Sequence, residues 1–120
     1  MIDTEFAECF AHEWVEAWNS HDLDAILFHY SDDFEMSSPF IITFSPESGG
    51  TLRGKEAVAQ YWATALEKFS DLHFVLDSVF VGADSIALTY TSVLDKKAVE
   101  VFFFDESGKV MKAAAHYIDA

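Results

Sequence analysis

WVEAWNSHDLDAILFHYSDDFEMSSP, residues 14–39, is the stretch that decides the fold. It reads as helix, tight turn, helix, turn, strand. Working upstream, Ile2, Phe6, Phe10, Trp14 and Trp18 recur every fourth residue, with Ala11, Val15 and Ala17 beside them. That is one apolar stripe and predicts a helix over residues 2–19. Asn19, Ser20 and His21 break it, and Asp22 can cap a second helix over residues 22–30, because its carboxylate accepts from free backbone N–H groups at the positive helix end. Leu23, Ile26, Leu27 and Tyr30 form the second stripe. Ser31-Asp32-Asp33 turns the chain, after which Phe34, Met36 and Ser38 alternate with Glu35 and Ser37, the spacing of a strand over residues 33–38.

Downstream, FIITFSPESGGTLR (residues 40–53) mixes apolar residues with Pro46, Gly49 and Gly50, and predicts a short strand or lid followed by an exposed loop. Gly54 precedes a third helix, whose stripe is Val58, Tyr61, Trp62, Ala65, Leu66 and Phe69. The period then changes to two. Strands are predicted at residues 72–81, 85–94, 98–104 and 110–118, separated by short polar turns, which makes an antiparallel meander. Helices first and a sheet afterwards is the α+β pattern, with the helices gathered on one face of the sheet. No repeat or low-complexity segment interrupts residues 1–120, which predict a single domain.

The chain is 51% hydrophobic and 16% aromatic, with a formal net charge of −14. A surface that negative repels phosphate backbones and anionic lipid, so neither nucleic acid nor membrane is expected as a partner. Cys9 is the one cysteine, which excludes an intrachain disulfide. The acidic N-terminal segment lacks the features of a signal peptide, and no apolar run approaches a membrane span, so a cytoplasmic location is expected. One strand, VEVFFF (residues 99–104), is apolar on both faces apart from Glu100. Helices can cover only one face of the sheet, so the outer face predicts a homodimer.

Taken together, several motifs resemble the nuclear transport factor 2-like superfamily, in particular its SnoaL-like and ketosteroid-isomerase-like members. They are Ala17-Trp18-Asn19, His21-Asp22-Leu23-Asp24, Tyr30-Ser31-Asp32-Asp33-Phe34 with Pro39, Leu52-Arg53-Gly54-Lys55-Glu56-Ala57-Val58 with Tyr61-Trp62, Gly108-Lys109-Val110, and His116-Tyr117-Ile118-Asp119. The resemblance spans nearly the whole chain. It implies a cone-shaped α+β barrel, with three helices packed on a strongly curved, mainly antiparallel sheet around an apolar pocket. It does not imply an activity, because such folds host isomerases, cyclases, dehydratases and non-catalytic modules alike. Laid beside the steroid isomerases, Trp14 falls where they carry an oxyanion-donating tyrosine, Ser38 where they carry the general-base aspartate, and Glu100 where they carry a protonated aspartate. A serine hydroxyl cannot by itself abstract a carbon-bound proton. The resemblance therefore argues against steroid isomerisation itself.

Glu100 is the leading catalytic candidate. By alternation it shares a face with Phe102 and Phe104, and a carboxyl among aromatics is held toward its neutral acid form. The other reading is a strand-edge glutamate in water, near Lys97. Tyr117 and His116 are neighbours on the last strand, so one faces inward; the resemblance favours Tyr117, and a bulge would exchange them. The expected lining of the pocket is Trp14, Tyr30, Phe34, Met36, Ser38, Phe40, Trp62, Glu100, Phe102 and Tyr117, with His116 as the substitute for Tyr117. Spacings such as HxxxH, HExxH and CxxC are absent, as is a glycine-rich phosphate loop, so neither metal nor cofactor is expected. Two functions fit: an enzyme acting on a small apolar carbonyl compound (lyase, isomerase or cyclase), or a non-catalytic ligand-binding or dimerisation module.

Overall fold

The computed structural model describes residues 2–119. Helix α1 (Thr4–Ser20) begins at Asp3, whose side chain accepts from the Phe6 amide at 2.8 Å. It ends at His21, in the left-handed region at φ 61°. Of the apolar stripe read from the sequence, Phe10, Ala11, Trp14, Ala17 and Trp18 are buried, joined by Ala7, whereas Phe6 is exposed, Val15 is half-buried and Ile2 precedes the helix. Helix α2 (Leu23–Leu27) is capped by Asp22, whose carboxylate accepts from the Asp24 and Ala25 amides. It is shorter than expected, because Tyr30 already belongs to strand β1 (Tyr30–Ser37).

The connection after β1 departs from the sequence reading. Residues expected as a short strand or lid form helix α3 (Pro39–Phe44), with Ser38 as N-cap and Pro39 in the first turn. Ser38 Oγ accepts from the Phe40 amide at 3.2 Å. Proline suits the first helical turn, where its missing N–H leaves no intrahelical bond unmade. Strand β2 (Thr51–Arg53) follows, and then α4 (Lys55–Lys68), which opens at Gly54. Gly54 has φ 87°, where a side chain would be strained, and its amide donates to the Phe34 carbonyl at 2.8 Å.

Strands β3 (Val75–Val81), β4 (Ser85–Thr91), β5 (Lys97–Phe104) and β6 (Val110–Tyr117) form the antiparallel meander. The sheet order is β2-β1-β6-β5-β4-β3, with β1 and β6 parallel. β2 and β3 are free edges, so the curved sheet stays open and does not close into a barrel. Residues 72–74, expected inside β3, lie before it. Asn19 holds them: Nδ2 donates to the Phe74 carbonyl at 3.0 Å, and Oδ1 accepts from the Phe74 amide at 2.6 Å. His21 Nε2 lies 2.8 Å from the Leu72 carbonyl. The polar break after α1 therefore clamps the approach to β3. Phe74 is turned inward against Trp14 and Trp18, with ring centroids 5.5 and 5.4 Å away. Among the described residues no helix is long and apolar enough to cross a membrane.

Candidate functional site

The C-terminal half of α1, the inner ends of β4 and β5, α3 and α4 surround a cavity of about 420 Å³, a size usual for small-molecule sites. Its walls are largely aromatic. Trp18 and Trp62 meet edge-on at 5.2 Å, Phe74 and Tyr90 at 4.9 Å, and Phe40 lies on Tyr117 at 4.5 Å. Tyr61 also lines it. The charged residues in its lining are Glu100 and Lys68; Glu100 is buried and Lys68 is exposed.

Alternation along β5 places Glu100 inward, between Leu88 of β4 and Ala115 of β6 in register. It is 3% exposed. The Tyr90 hydroxyl donates to its Oε1 at 3.0 Å, and no described residue donates to Oε2. Burial pushes the pKa of Glu100 up to about 7, against the pull of the Tyr90 hydrogen bond. Burial also raises the pKa of Tyr90 and of Tyr117, and in both the Glu100 charge adds to it. Both phenols therefore stay protonated and can donate. The Tyr117 hydroxyl adjoins those of Tyr90 and Ser38, and the Tyr61 hydroxyl also adjoins Ser38. A carboxyl that titrates near neutrality beside neutral phenols can give or take a proton and can hold a carbonyl oxygen by hydrogen bonds.

Of the residues expected to line the pocket, Trp14, Phe40, Trp62, Glu100 and Tyr117 border the cavity. Tyr30, Phe34, Met36 and Phe102 do not; they are core residues packed behind it. Tyr30 stacks on Phe34 at 4.4 Å, and Phe102 is closed off by Phe10 at 4.9 Å. Ser38 is buried behind Tyr61 and Tyr117 as the α3 cap. His116 is exposed on the opposite face of β6, its register partner being the outward-facing Val99. Trp14 borders the cavity, but its Nε1–H donates to Tyr30 Oη at 3.0 Å, so this indole N–H already has a partner. Tyr90, Trp18, Tyr61 and Phe74 went unremarked in the sequence as pocket residues. Tyr90 carried a usable signal, since β4 alternation puts it on the Glu100 side of the sheet. Among the described residues no three His, Cys, Asp or Glu side chains gather as metal ligands would.

A sequence profile of the SnoaL-like domain matches residues 11–116. The chain is 49% identical to a SnoaL-like protein of unknown function from Burkholderia thailandensis, over 98% of this chain and 99% of that one, with a TM-score of 0.94. A protein of unknown function with a cystatin-like fold from Methylobium petroleophilum aligns at TM-score 0.77 and 19% identity, over 99% of this chain and 80% of that one. A provisionally named isomerase of the SnoaL-like family from Agrobacterium tumefaciens aligns at TM-score 0.76 and 12% identity, over 96% and 99%. These last two show a shared fold. No curated protein matches the chain. With the profile spanning most of its length and a near relative at half identity, the chain belongs to the SnoaL-like domain family.

Proposed function

We propose that the cavity binds a small apolar carbonyl compound and that Glu100 moves a proton on it, in a lyase, isomerase or cyclase reaction. One observation carries this reading: a buried carboxyl, brought to a pKa of about 7, borders an aromatic cavity with one oxygen held by Tyr90. A structural glutamate gains nothing from that burial, whereas a general acid or base works best when its pKa lies near the working pH. Tyr117 supplies a donor for the carbonyl oxygen, while the Tyr90 O–H holds Glu100 in place. Tyr117 acts in this way as a second catalytic residue, and Trp14, Phe40 and Trp62 hold the apolar body.

The test uses ketones with exchangeable α-hydrogens, incubated with the protein in heavy water and followed by NMR. Deuterium should enter α to the carbonyl with the wild type and at least a hundredfold more slowly with Glu100→Gln, within the usual range for removal of a general base. Exchange that ignores the substitution would remove Glu100 from its role. Ketones that bind and stabilise both proteins equally, without exchange, would leave a binding module.

We further propose that a second copy of this chain covers the outer face of the sheet. Val99, Phe80 and Met111 are exposed there, and Val101 and Phe103 are half-buried. The charges on the described β1–β6 end of that face, Glu35, Arg53 and Lys112, are already paired with one another. The apolar side chains of this face support self-association there, against the mutual repulsion of two chains that each carry a net charge of −14. Light scattering should give a dimer at micromolar concentration and a monomer for Val99→Lys; a wild-type monomer overturns the dimer.

A further inference from the structure

The turn between β4 and β5 has a backbone that suits a hairpin but carries a leucine that such a turn does not favour. The Lys96 amide donates to the Val93 carbonyl at 3.2 Å, and the two residues between them, Leu94 and Asp95, have φ of 59° and 58°. Such a turn favours Asn-Gly, since positive φ suits residues with a short polar side chain or none. Leucine there costs conformational energy. Its side chain recovers none of that by burial, because Leu94 is 73% exposed. Yet Leu94 borders the cavity, at its rim, as does Phe44 of α3, itself 41% exposed. Backbone strain that presents an apolar side chain to water beside a pocket is explained if a ligand covers that side chain.

We infer that the ligand is a carbonyl compound with an apolar chain, its carbonyl at the Glu100 end and its tail emerging over the rim, where Leu94 clasps it against Phe44. This rests on the cavity being the ligand site, and it names the class of ligand. The buried end offers Glu100 and the phenols, and the outer lining offers Leu94 and Phe44 among the exposed Thr43, Thr64 and Lys68, so a molecule with its carbonyl inside and an apolar tail laid along Leu94 and Phe44 matches the cavity along its length. Leu94 is in this account a specificity residue for tail length and takes no part in the chemistry.

Straight-chain methyl ketones of stepwise increasing length are the probes, with binding read from the fluorescence of the tryptophans that line the cavity. In the wild type, affinity should rise by roughly fourfold per methylene until the tail passes the rim. In Leu94→Ala and Leu94→Asn the rise should stop at a shorter chain, costing the longest binders roughly tenfold, with the short ketones unaffected. Melting temperature separates strain from contact. Leu94→Asn should melt roughly 2–5 °C higher than the wild type, because the short polar side chain of asparagine can hydrogen-bond locally in the left-handed region; Leu94→Ala, which has a Cβ but no such polar group, should not. Identical chain-length profiles in wild type and both variants would overturn the clasp while leaving the cavity as the binding site. If no ketone of any length binds the wild type, the cavity reading falls and the clasp with it. A Leu94→Asn protein that melts lower would show that the turn is not strained.

Discussion

The two halves of α1 face the same sheet and do opposite things. Toward the N-terminus, Phe6 and Phe10 interlock with Phe102 and Phe104, all at centroid distances between 4.9 and 5.3 Å for the cross-element pairs. That end is closed and mainly phenylalanine against phenylalanine, with the half-buried His29 ring edge-on to Phe10 at 5.5 Å. Two turns on, Trp14 and Trp18 pack against Trp62, Phe74 and Tyr90 at 5.1–5.5 Å, and these rings together with Glu100 border the cavity. On β5 no inward position separates Glu100 from the closed cluster, since Phe102 is next on the same face. The apolar layer is continuous, and what changes along it is polar reach. The carboxyl of Glu100, with the phenols of Tyr90 and Tyr117 beside it, stands where the packing opens. An apolar core is thus made into a site by where it is left unfilled and by which polar atoms border the gap.

This contrast is broken most directly by truncating one ring at each end. Phe102→Ala removes a side chain with no exposure, touching both Phe10 and Trp14. It should cost ~3–5 kcal/mol in urea unfolding, as other buried phenylalanines do. Phe40→Ala removes a half-buried ring that already borders empty space, and should cost no more than ~1–2 kcal/mol, because few of its contacts are lost to a new void. Equal costs at the two positions would mean that the cavity is no less packed than the closed end.

How much of this was legible in the sequence follows from what alternation and periodicity report, which is the face of an element and not the depth behind it. The α1 stripe, the meander and the inward side of Glu100 were all readable, because each depends on local period alone. Phe102 shares the Glu100 face and was expected in the lining for that reason. It lies outside because Phe10, one helix over, fills the space in front of it, and sequence spacing does not show which helix residue lands opposite which strand residue. Tyr90 had the right face but looked no different from Ile86 and Leu88. Its role depends on the register that sets it opposite Ala98, two residues from Glu100. The α3 segment was misread for another reason. FIITF is rich in β-branched and aromatic residues, so its propensity points to strand, while the overriding signal is the Ser38–Pro39 start, a cap followed by a residue suited to the first turn.

The open end can be sharpened through its carboxyl. Glu100 titrates at about 7 when folded against an ordinary value of 4.5. Its folded pKa is raised, so the stability it contributes is full below about pH 4.5 and is lost as pH rises to about 7, beyond which the loss is complete; the difference amounts to ~3 kcal/mol. Glu100→Gln keeps an oxygen for the Tyr90 hydroxyl and removes the titration. Relative to wild type it should be up to ~3 kcal/mol more stable at pH 8 and nearly unchanged at pH 4.5, read from paired denaturation curves. An offset independent of pH would show that the carboxyl is not held neutral by burial. Tyr90→Phe should move the effect in the other direction along the pH axis. Without the hydroxyl that favours the ionised form, the Glu100 pKa rises further, and the pH at which the difference saturates, like the midpoint of any activity, shifts upward.

The smallest effect belongs to the wall that stands between the cavity and water. Helix α3 has six residues, too few to hold by propensity, and it contributes Phe40, Thr43 and Phe44 to the lining. Its first turn depends on Ser38 Oγ, which accepts from the Phe40 amide. Ser38→Ala should therefore cost ~1 kcal/mol, the usual loss on removing such a cap. Where that loss appears matters more than its size. If α3 is a separately stabilised wall, hydrogen exchange should quicken at the α3 amides and stay unchanged at Phe102 and Phe104 on the closed end, because local opening needs less free energy than global unfolding. Faster exchange at both ends would mean that the cap stabilises the whole fold and that the two halves of α1 do not open independently.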